Sequence, residues 1–295
     1  MPLRVRDRRA RSARRLTPDE AEFVEQARAF TSRVGPRSVL LLVGSRAAGL
    51  ADSWSDLDMW VIGDKARLTQ AERRRYERHS ELFVDRGDYE AHYSFYDRDD
   101  LRAVLQGYPD EKMWIVLTAK VLFGDRRVAA ELKRLCRRYP RRAVEPKLRW
   151  HFGRYFQSVN PLNTAARGMP ETAFLIAGMV VEHLCKVCCL GERKPFPYAK
   201  WLIPVSRRTV LGRKVAPLVS EAILGIDELL HPPEDKYYRA LVPLKKLRET
   251  REIVCKGLRK LGWRGRWVTV PEEAIAEAMH GPEQSVRRPD KSRWR

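Results

Sequence analysis

The segment that most constrains the fold is VLLLVGSRAAGLADSWSDLDMWVI, residues 39–62, where two apolar runs enclose a polar middle. Short, continuous apolar runs are typical of strands that are covered on both faces. The first run ends at Gly44-Ser45, and the second begins between Asp56 and Asp58. Because residues i and i+2 of a strand share a face, the sequence predicts that the two aspartates project side by side.

Asp56 and Asp58 together predict a metal site. Two carboxylates about 5 to 7 Å apart repel each other unless a cation lies between them. A hard divalent cation with oxygen ligands, such as magnesium, is the natural counter-charge. A Gly-Ser turn alone, or an Asp-x-Asp alone, would favour an ordinary loop or strand edge, but their combination at this spacing favours a functional site.

Gly44, Ser45 and Arg46 predict a place for the phosphates on which such a metal acts. Arg46 and the two alanines after it can open a short helix, whose free backbone amides and positive dipole end suit a triphosphate. Gly44 permits close backbone approach, the Ser45 hydroxyl can donate to a phosphate oxygen, and Arg46 can neutralise charge. We therefore expect a nucleoside triphosphate, such as ATP, to bind through these three residues.

Glu90 is the predicted third carboxylate. It lies in GDYEAHYSFYD, residues 87–97, whose period-two alternation indicates a strand. Two magnesium ions held by Asp56, Asp58 and Glu90 could bind the triphosphate and lower the pKa of an acceptor hydroxyl, whose proton Glu90 could take. This set predicts in-line nucleotidyl transfer with pyrophosphate as the leaving group. His92 shares a face with Glu90, and if His92 fills the third position instead, the second metal should bind weakly.

The segment GSRAAGLADSWSDLDMWVI resembles the nucleotidyltransferase signature of the DNA polymerase beta superfamily. That signature is a Gly-Ser, a downstream Gly, and Ser-Asp-hydrophobic-Asp before a hydrophobic strand. The resemblance covers only about residues 38–62. It implies phosphate roles for Gly44 and Ser45 and metal roles for Asp56 and Asp58.

A second resemblance lies in the C-terminal half. The apolar segment 172–191 and the later PYAKWL, 197–202, are similar to the helical domain of bacterial antibiotic nucleotidyltransferases, such as those for aminoglycosides and lincosamides, and of their uncharacterised relatives. In that group the helical domain closes over the nucleotide and contributes an acid or base. The resemblance implies that Lys200 contacts a phosphate and that Glu182 is a catalytic base. The alternative for Glu182 is a buried carboxylate paired with Lys186 one helical turn on.

The order of the patterns predicts an α+β (α/β) fold. Strands at 39–43, 57–62 and 87–97 and helices at 16–35 and 69–80 come early, and every pattern after Asp97 indicates a helix. The expected later helices are at about 98–106, 111–122, 127–138, 146–158, 170–190, 214–230 and 235–260. We expect a small mixed-sheet nucleotidyltransferase domain at 17–140, a helical-bundle domain at 141–280, and disordered tails at 1–16 and 281–295.

The formal net charge of +20 is the strongest compositional signal. Much of it lies in the two tails, and eight further basic residues lie in KRLCRRYPRRAVEPKLR, 133–149. These tails and this linker could contact nucleic-acid phosphates without sequence preference, or they could be solvated surface. An aminoglycoside is a polycation, which a basic chain does not attract. Lincosamide-like small molecules, RNA ends and proteins therefore stay open as acceptors.

The sequence predicts a cytoplasmic protein without a membrane partner. Its basic N-terminus lacks the apolar core of a signal peptide. The segment 172–191 is near spanning length, but it carries Glu182, His183 and Lys186, which would be costly in a bilayer and are tolerated in a buried helix. The three cysteines of this segment are expected to be core hydrophobes rather than zinc ligands.

A different class of function is a non-catalytic RNA- or nucleotide-binding module that keeps the fold and uses its basic linker and tails. Asp56 and Asp58 argue against this alternative, because a decayed site has no reason to keep two carboxylates that repel each other. The sequence contains no readable motif for the choice of nucleotide base or for oligomeric state.

Overall fold

The computed structural model describes residues 16–52, 54–87, 90–159, 164, 167–231 and 241–279. The chain divides into two compact units between Arg138 and Tyr139. The predicted disordered tails lie outside the described residues, except for Leu16. The predicted limits of the two domains, 17–140 and 141–280, stay predictions.

The N-terminal unit is built on a five-stranded mixed sheet with the strand order β3-β4-β2-β1-β5. Strands β2 and β4 are parallel, and β1 is antiparallel to β2 and β5, as β3 is to β4. The strands are β1 Val39–Leu42, β2 Leu57–Gly63, β3 Leu82–Asp85, β4 Ala91–Asp97 and β5 Lys120–Gly124. With the helices of both units, this sheet confirms the predicted α+β fold class.

Six α-helices accompany the sheet in the described part of this unit. They are α1 Pro18–Arg33, α2 Gly44–Ala48, α3 Gln70–His79, α4 Arg98–Gln106, α5 Asp110–Thr118 and α6 Arg126–Arg137. Helix α1 begins where the sequence predicted, because Thr17 and Glu20 satisfy each other's backbone amides in a capping box. Helix α2 is the predicted short helix after the first strand.

Two strands were missed by the sequence prediction. The expected helix at 111–122 is wrong, because α5 ends at Thr118 and Lys120–Gly124 forms β5 against β1. Strand β3, Leu82–Asp85, was not predicted at all. Both lie at the edges of the sheet, where a short segment becomes a strand through pairing with its neighbour rather than through its own pattern.

The two faces of the sheet differ. Alternate residues of β2 and β4, among them Met59, Val61 and Phe95, are buried in a core that also contains residues of α1 and α3. Asp58 and His92 therefore point to the opposite face, since neighbouring strand residues alternate. The predicted candidate site lies on this second face, at the end where β2 begins.

The described residues of the C-terminal unit contain helices and no strand. These helices are α7 Arg141–Val159, α8 Pro170–Gly191, α9 Ala199–Ser206, α10 Val210–Leu224, α11 Asp227–Leu230, α12 Val242–Lys260, α13 Arg266–Thr269 and α14 Pro271–Met279. Fully buried side chains such as Phe152, Leu184 and Leu244 place the core between α7, α8 and α12.

Helix α8 is long and apolar enough to cross a membrane by length and composition, with a mean hydropathy of 1.8. Within the unit, 61% of that apolar window is buried. Cys185, Cys188 and Cys189 are among its buried residues. A core helix of a folded domain has the same properties.

Candidate metal and phosphate site

Asp56, Asp58 and His92 form a cluster at the start of β2. One ligand atom from each of the three side chains lies within 4.8 Å of the other two. The parallel pairing of β2 with β4 sets Asp58 directly beside His92. The His92 Nε2 atom lies 2.8 Å from Asp58 Oδ1. The pairing of β2 with β4 thus brings the Asp58 carboxylate and the His92 imidazole together. Asp56 is the residue two positions before Asp58, just outside the strand.

Gly44 lies against this cluster. Any side chain at position 44 would collide with a carboxylate of the cluster unless that carboxylate moved. Its φ is +66°, and an ideal Cβ on Gly44 would lie 2.0 Å from Asp58 Oδ2. The amide of the preceding Val43 donates to the Asp58 carbonyl at 2.9 Å. The sequence predicted that the backbone at Gly44 would closely approach another group. In the structure that group is Asp58.

Ser45 is the residue with an unused donor at this point. Its side chain is 2% exposed, and its Oγ atom has no hydrogen-bond partner among the described residues. A buried hydroxyl without a partner is costly, so such a group is often completed by a ligand or water. Its predicted bond to a phosphate oxygen fits this placement and stays a prediction.

Arg46 makes contacts that the sequence did not predict. Its Nη2 atom donates to Glu20 Oε1 at 2.6 Å and to the Ser55 carbonyl at 2.8 Å. Both side chains of this ion pair are largely buried. Arg46 therefore ties α1 to the loop that precedes Asp56. A guanidinium engaged in this way positions the loop. Its Nη1 atom is buried without a hydrogen-bond partner among the described residues, and the predicted phosphate contact stays a prediction.

Glu90 is not brought into the cluster. It precedes β4, its side chain is 77% exposed, and its Oε2 lies 3.4 Å from Arg86 Nη2. Only its backbone takes part in the sheet edge, where its carbonyl accepts from the Leu57 amide at 2.8 Å. The strand pairing begins one residue later, so His92, and not Glu90, lies beside Asp58. Of the two predicted candidates for the third position, the structure places His92 there.

Carboxylates surround His92 on both sides. The hydrogen bond with Asp58 raises the pKa of His92 against the opposing effect of burial, and the charges of Asp58, Asp56 and Asp85 raise it further. Asp85 ends β3 and is paired with His92 across the antiparallel ladder. Sequence reasoning missed Asp85 because it missed β3. The useful signal was the apolar Leu-Phe-Val before it.

The predicted residues of the helical unit have partners of their own. The Glu182 Oε1 atom lies 2.5 Å from Lys186 Nζ, which is the ion pair that the sequence offered as an alternative. Glu182 also lines an apolar cavity of about 380 Å³ within this unit. Lys200 is exposed, and its Nζ lies 5.1 Å from the centre of the Trp201 ring. The predicted catalytic role of Glu182 and phosphate contact of Lys200 stay predictions.

Comparisons with known proteins add little to this geometry. No protein-family model matches the chain, and no curated protein matches it. Among solved structures, the chain is similar to a nucleotidyltransferase-like protein from Exiguobacterium sibiricum 255-15, with 10% identity and a TM-score of 0.42. That match covers 91% of this chain and 81% of the other. Since one fold can host many functions, the residues of the site are the guide to function.

Proposed function

We propose that this protein is a metal-dependent nucleotidyltransferase. It would transfer a nucleoside monophosphate from a nucleoside triphosphate to a hydroxyl of an acceptor. The observation that carries the proposal is the packing of Gly44 against Asp58, in which a Cβ would lie 2.0 Å from the carboxylate oxygen. This packing joins the turn suited to phosphate and the side chains suited to a cation in one site.

The donor set fits a divalent cation. Asp56 and Asp58 supply carboxylate oxygens and His92 supplies an imidazole nitrogen, all close enough to share one ion. Asp56 and Asp58 are the proposed ligands, with magnesium as the proposed cofactor. A bound ion would supply positive charge to the triphosphate and lower the pKa of the acceptor hydroxyl. A second ion, which the sequence predicted with Glu90, would need a further ligand from the nucleotide.

The other residues of the site bind and orient. The Ser45 hydroxyl would donate to a phosphate oxygen, and Arg46 would hold the loop before Asp56 through Glu20 and Ser55. In the reaction the acceptor oxygen would form a bond to the α-phosphorus and its hydroxyl proton would pass to solvent water, while the bond to the bridging oxygen breaks and pyrophosphate leaves. The proposal does not require Glu182 as the base that takes the hydroxyl proton.

The proposed acceptor is a small molecule of low positive charge or an RNA end. Part of the basic linker is engaged within the protein, since Arg141 pairs with Glu145 and Arg149 with Glu277. Arg134, Arg137 and Arg138 are exposed at the end of α6 and could contact nucleic-acid phosphates. Both the choice of acceptor and the cytoplasmic location are proposals.

The proposal is tested by incubating the protein with labelled nucleoside triphosphates, Mg²⁺ or Mn²⁺, and pools of tRNA, proteins and antibiotics. We expect label transfer with pyrophosphate release, and a loss of at least about 1,000-fold in Asp56→Asn, since a metal ligand is removed. Asp99→Asn is the matched control, because its exposed carboxylate starts α4 and lies outside the cluster.

The non-catalytic alternative makes a different prediction. It is favoured by one observation, the place of His92 where a third carboxylate was expected. If the protein transfers label to no acceptor, and Asp56→Asn binds nucleotide as tightly as the natural sequence, the protein is a nucleotide-binding module and the enzyme proposal is wrong.

A further inference from the structure

We infer that His92 is a nitrogen ligand that makes the strand-end site a single-ion site selective for Mn²⁺ over Mg²⁺ in the absence of nucleotide. The strand-end site is defined as Asp56, Asp58 and His92. The inference rests on the metal role proposed above for the two aspartates. It names a property of the site that an Asp-x-Asp pair alone does not have.

The geometry allows a shared ion. The three ligand atoms lie within 4.8 Å of one another. Ligand atoms about 2.0 to 2.3 Å from one ion lie at most about 4.6 Å apart, so only a small closure is needed. The position of His92 follows from the pairing of β2 with β4, and the Phe83 ring lies 5.0 Å from the imidazole. The nitrogen is thus placed by backbone and packing.

The chemistry of the donors decides the metal. Magnesium prefers oxygen ligands in near-ideal octahedral geometry and gives up its waters reluctantly. Imidazole suits first-row transition cations, and among them Mn²⁺ is the one that shares the preference of Mg²⁺ for carboxylate oxygens. Replacing an expected carboxylate by His92 therefore weakens the site for Mg²⁺ more than for Mn²⁺.

We expect one bound ion, because the further carboxylates that could hold a second ion lie outside the cluster. Glu90 lies beside Arg86 instead of Asp58. Asp85 lies on the far side of His92 from Asp58, and its Oδ1 accepts from the Gly87 amide. Among the described residues, only Asp56, Asp58 and His92 form a group able to hold a metal ion. One ion per chain is expected.

A competing interpretation is that His92 only donates a hydrogen bond to Asp58 and orients it. The 2.8 Å contact is compatible with that role as well. Two substitutions separate the roles. His92→Asn keeps a donor amide but removes the imidazole nitrogen, whereas His92→Asp restores the carboxylate that a Mg²⁺ site favours.

The test measures metal binding by the full chain without nucleotide, at pH 8, by Mn²⁺ electron paramagnetic resonance and by titration calorimetry with Mg²⁺. We expect one Mn²⁺ per chain, nitrogen modulation in the pulsed spectrum, and an affinity at least about 100-fold higher for Mn²⁺ than for Mg²⁺. His92→Asn should lose the modulation and at least about 10-fold in Mn²⁺ affinity. His92→Asp should lower the ratio of the Mn²⁺ affinity to the Mg²⁺ affinity at least about 10-fold.

The control is His231→Asn, an exposed histidine of the helical unit, which should change none of these values. Circular dichroism of each variant checks that it is folded. An absent nitrogen signal, a ratio unchanged in His92→Asp, or no bound Mn²⁺ overturns the inference. Transfer activity is a separate measurement: a protein that transfers without nitrogen ligation overturns this inference alone, and one that binds Mn²⁺ through nitrogen without transfer overturns only the proposed function.

Discussion

Histidines lie in opposite surroundings in the two units. His92 of the strand-end site is partly exposed among Asp56, Asp58 and Asp85. In the helical unit, His151 of α7 and His183 of α8 are buried, with their Nδ1 atoms 3.0 Å apart. One of these two rings must donate and the other accept. Burial lowers the pKa of both rings and so disfavours their charged forms.

The pKa values differ in the same sense. The hydrogen bond with Asp58 raises the pKa of His92, while burial lowers the pKa of His183 to about 4 and that of His151 well below its usual value. The strand-end site thus gathers charge that a bound cation could balance. The buried pair is complete in itself and is stable only while it stays uncharged. The strand-end site is open to a ligand, whereas the pair of His151 and His183 stabilises the fold.

Outside the proposed metal ligands, the substitution with the largest expected effect is Gly44→Ala, which breaks the strand-end site. A Cβ at Gly44 would displace the Asp58 carboxylate, since it would lie 2.0 Å from Oδ2. We expect nucleotidyl transfer to fall about 1,000-fold, or about 4 kcal/mol in activation free energy. The measurement is the rate of transfer together with metal affinity.

Gly49→Ala is the matched control for backbone strain. Gly49 has a φ of +67°, almost the value of Gly44, but nothing lies within 4 Å of its ideal Cβ. Both variants should lose about 1 kcal/mol of stability from the left-handed conformation, and Gly49→Ala should keep transfer within about threefold. Equal activity losses in both variants would show that strain, and not contact with Asp58, explains the effect.

The second prediction concerns acidification of the helical unit. The folded-state pKa of His183 is about 4, against 6.5 when unperturbed. Its neutral form therefore stabilises the fold fully above pH 6.5, and this stabilisation is lost as the pH falls toward 4. The expected loss from His183 is about 3 kcal/mol, at 1.36 kcal/mol per pH unit. Hydrogen exchange of α7 and α8 between pH 7.5 and 4.5 measures it.

The charged groups that act on the pair are Glu182, Lys186, Arg154 and Lys147. His183→Gln removes one of the two titrating rings and should reduce the pH dependence of exchange in α7 and α8, while the part that comes from His151 remains. The N-terminal unit should behave oppositely: because the pKa of His92 is raised, its contribution is complete below pH 6.5 and is lost as the pH rises through the raised pKa. An unchanged pH dependence in His183→Gln would contradict the assignment.

Much of the strand-end site could be predicted from the sequence because local rules determine it. The period of two put Asp56 and Asp58 together, and the Gly-Ser turn marked the close approach. The choice between Glu90 and His92 could not be made, because it depends on which residue of β4 pairs with Asp58. That register is a long-range property. The contact of Arg46 with Glu20 could not be predicted for a similar reason, since Glu20 is distant in sequence.

The fold shows the same division. Helix α1 and strands β1 and β2 have caps and apolar runs that identify them locally. Strand β5 continues directly from the apolar pattern of α5, so nothing in Lys120–Gly124 itself separates strand from helix. Pairing with β1 decides the matter. Asp85 was lost with β3 for the same reason, which shows how an error at a sheet edge becomes an error in a site.

The smallest expected effect is that of Glu182→Gln. This variant tests the comparison between the strand-end site and the buried histidine pair at the residue next to His183. The carboxylate is 41% exposed and pairs with Lys186 one turn on, so its loss should cost only about 0.5 kcal/mol of stability. Because the charge of Glu182 raises the pKa of His183, the variant should lower that pKa further, which an NMR titration measures. Transfer should change by less than about threefold, since the carboxylate is already paired with Lys186. A loss of more than about 100-fold with unchanged nucleotide affinity would instead make Glu182 the catalytic base that the resemblance implied, and the polar groups of the helical unit would then serve the reaction as well as the fold.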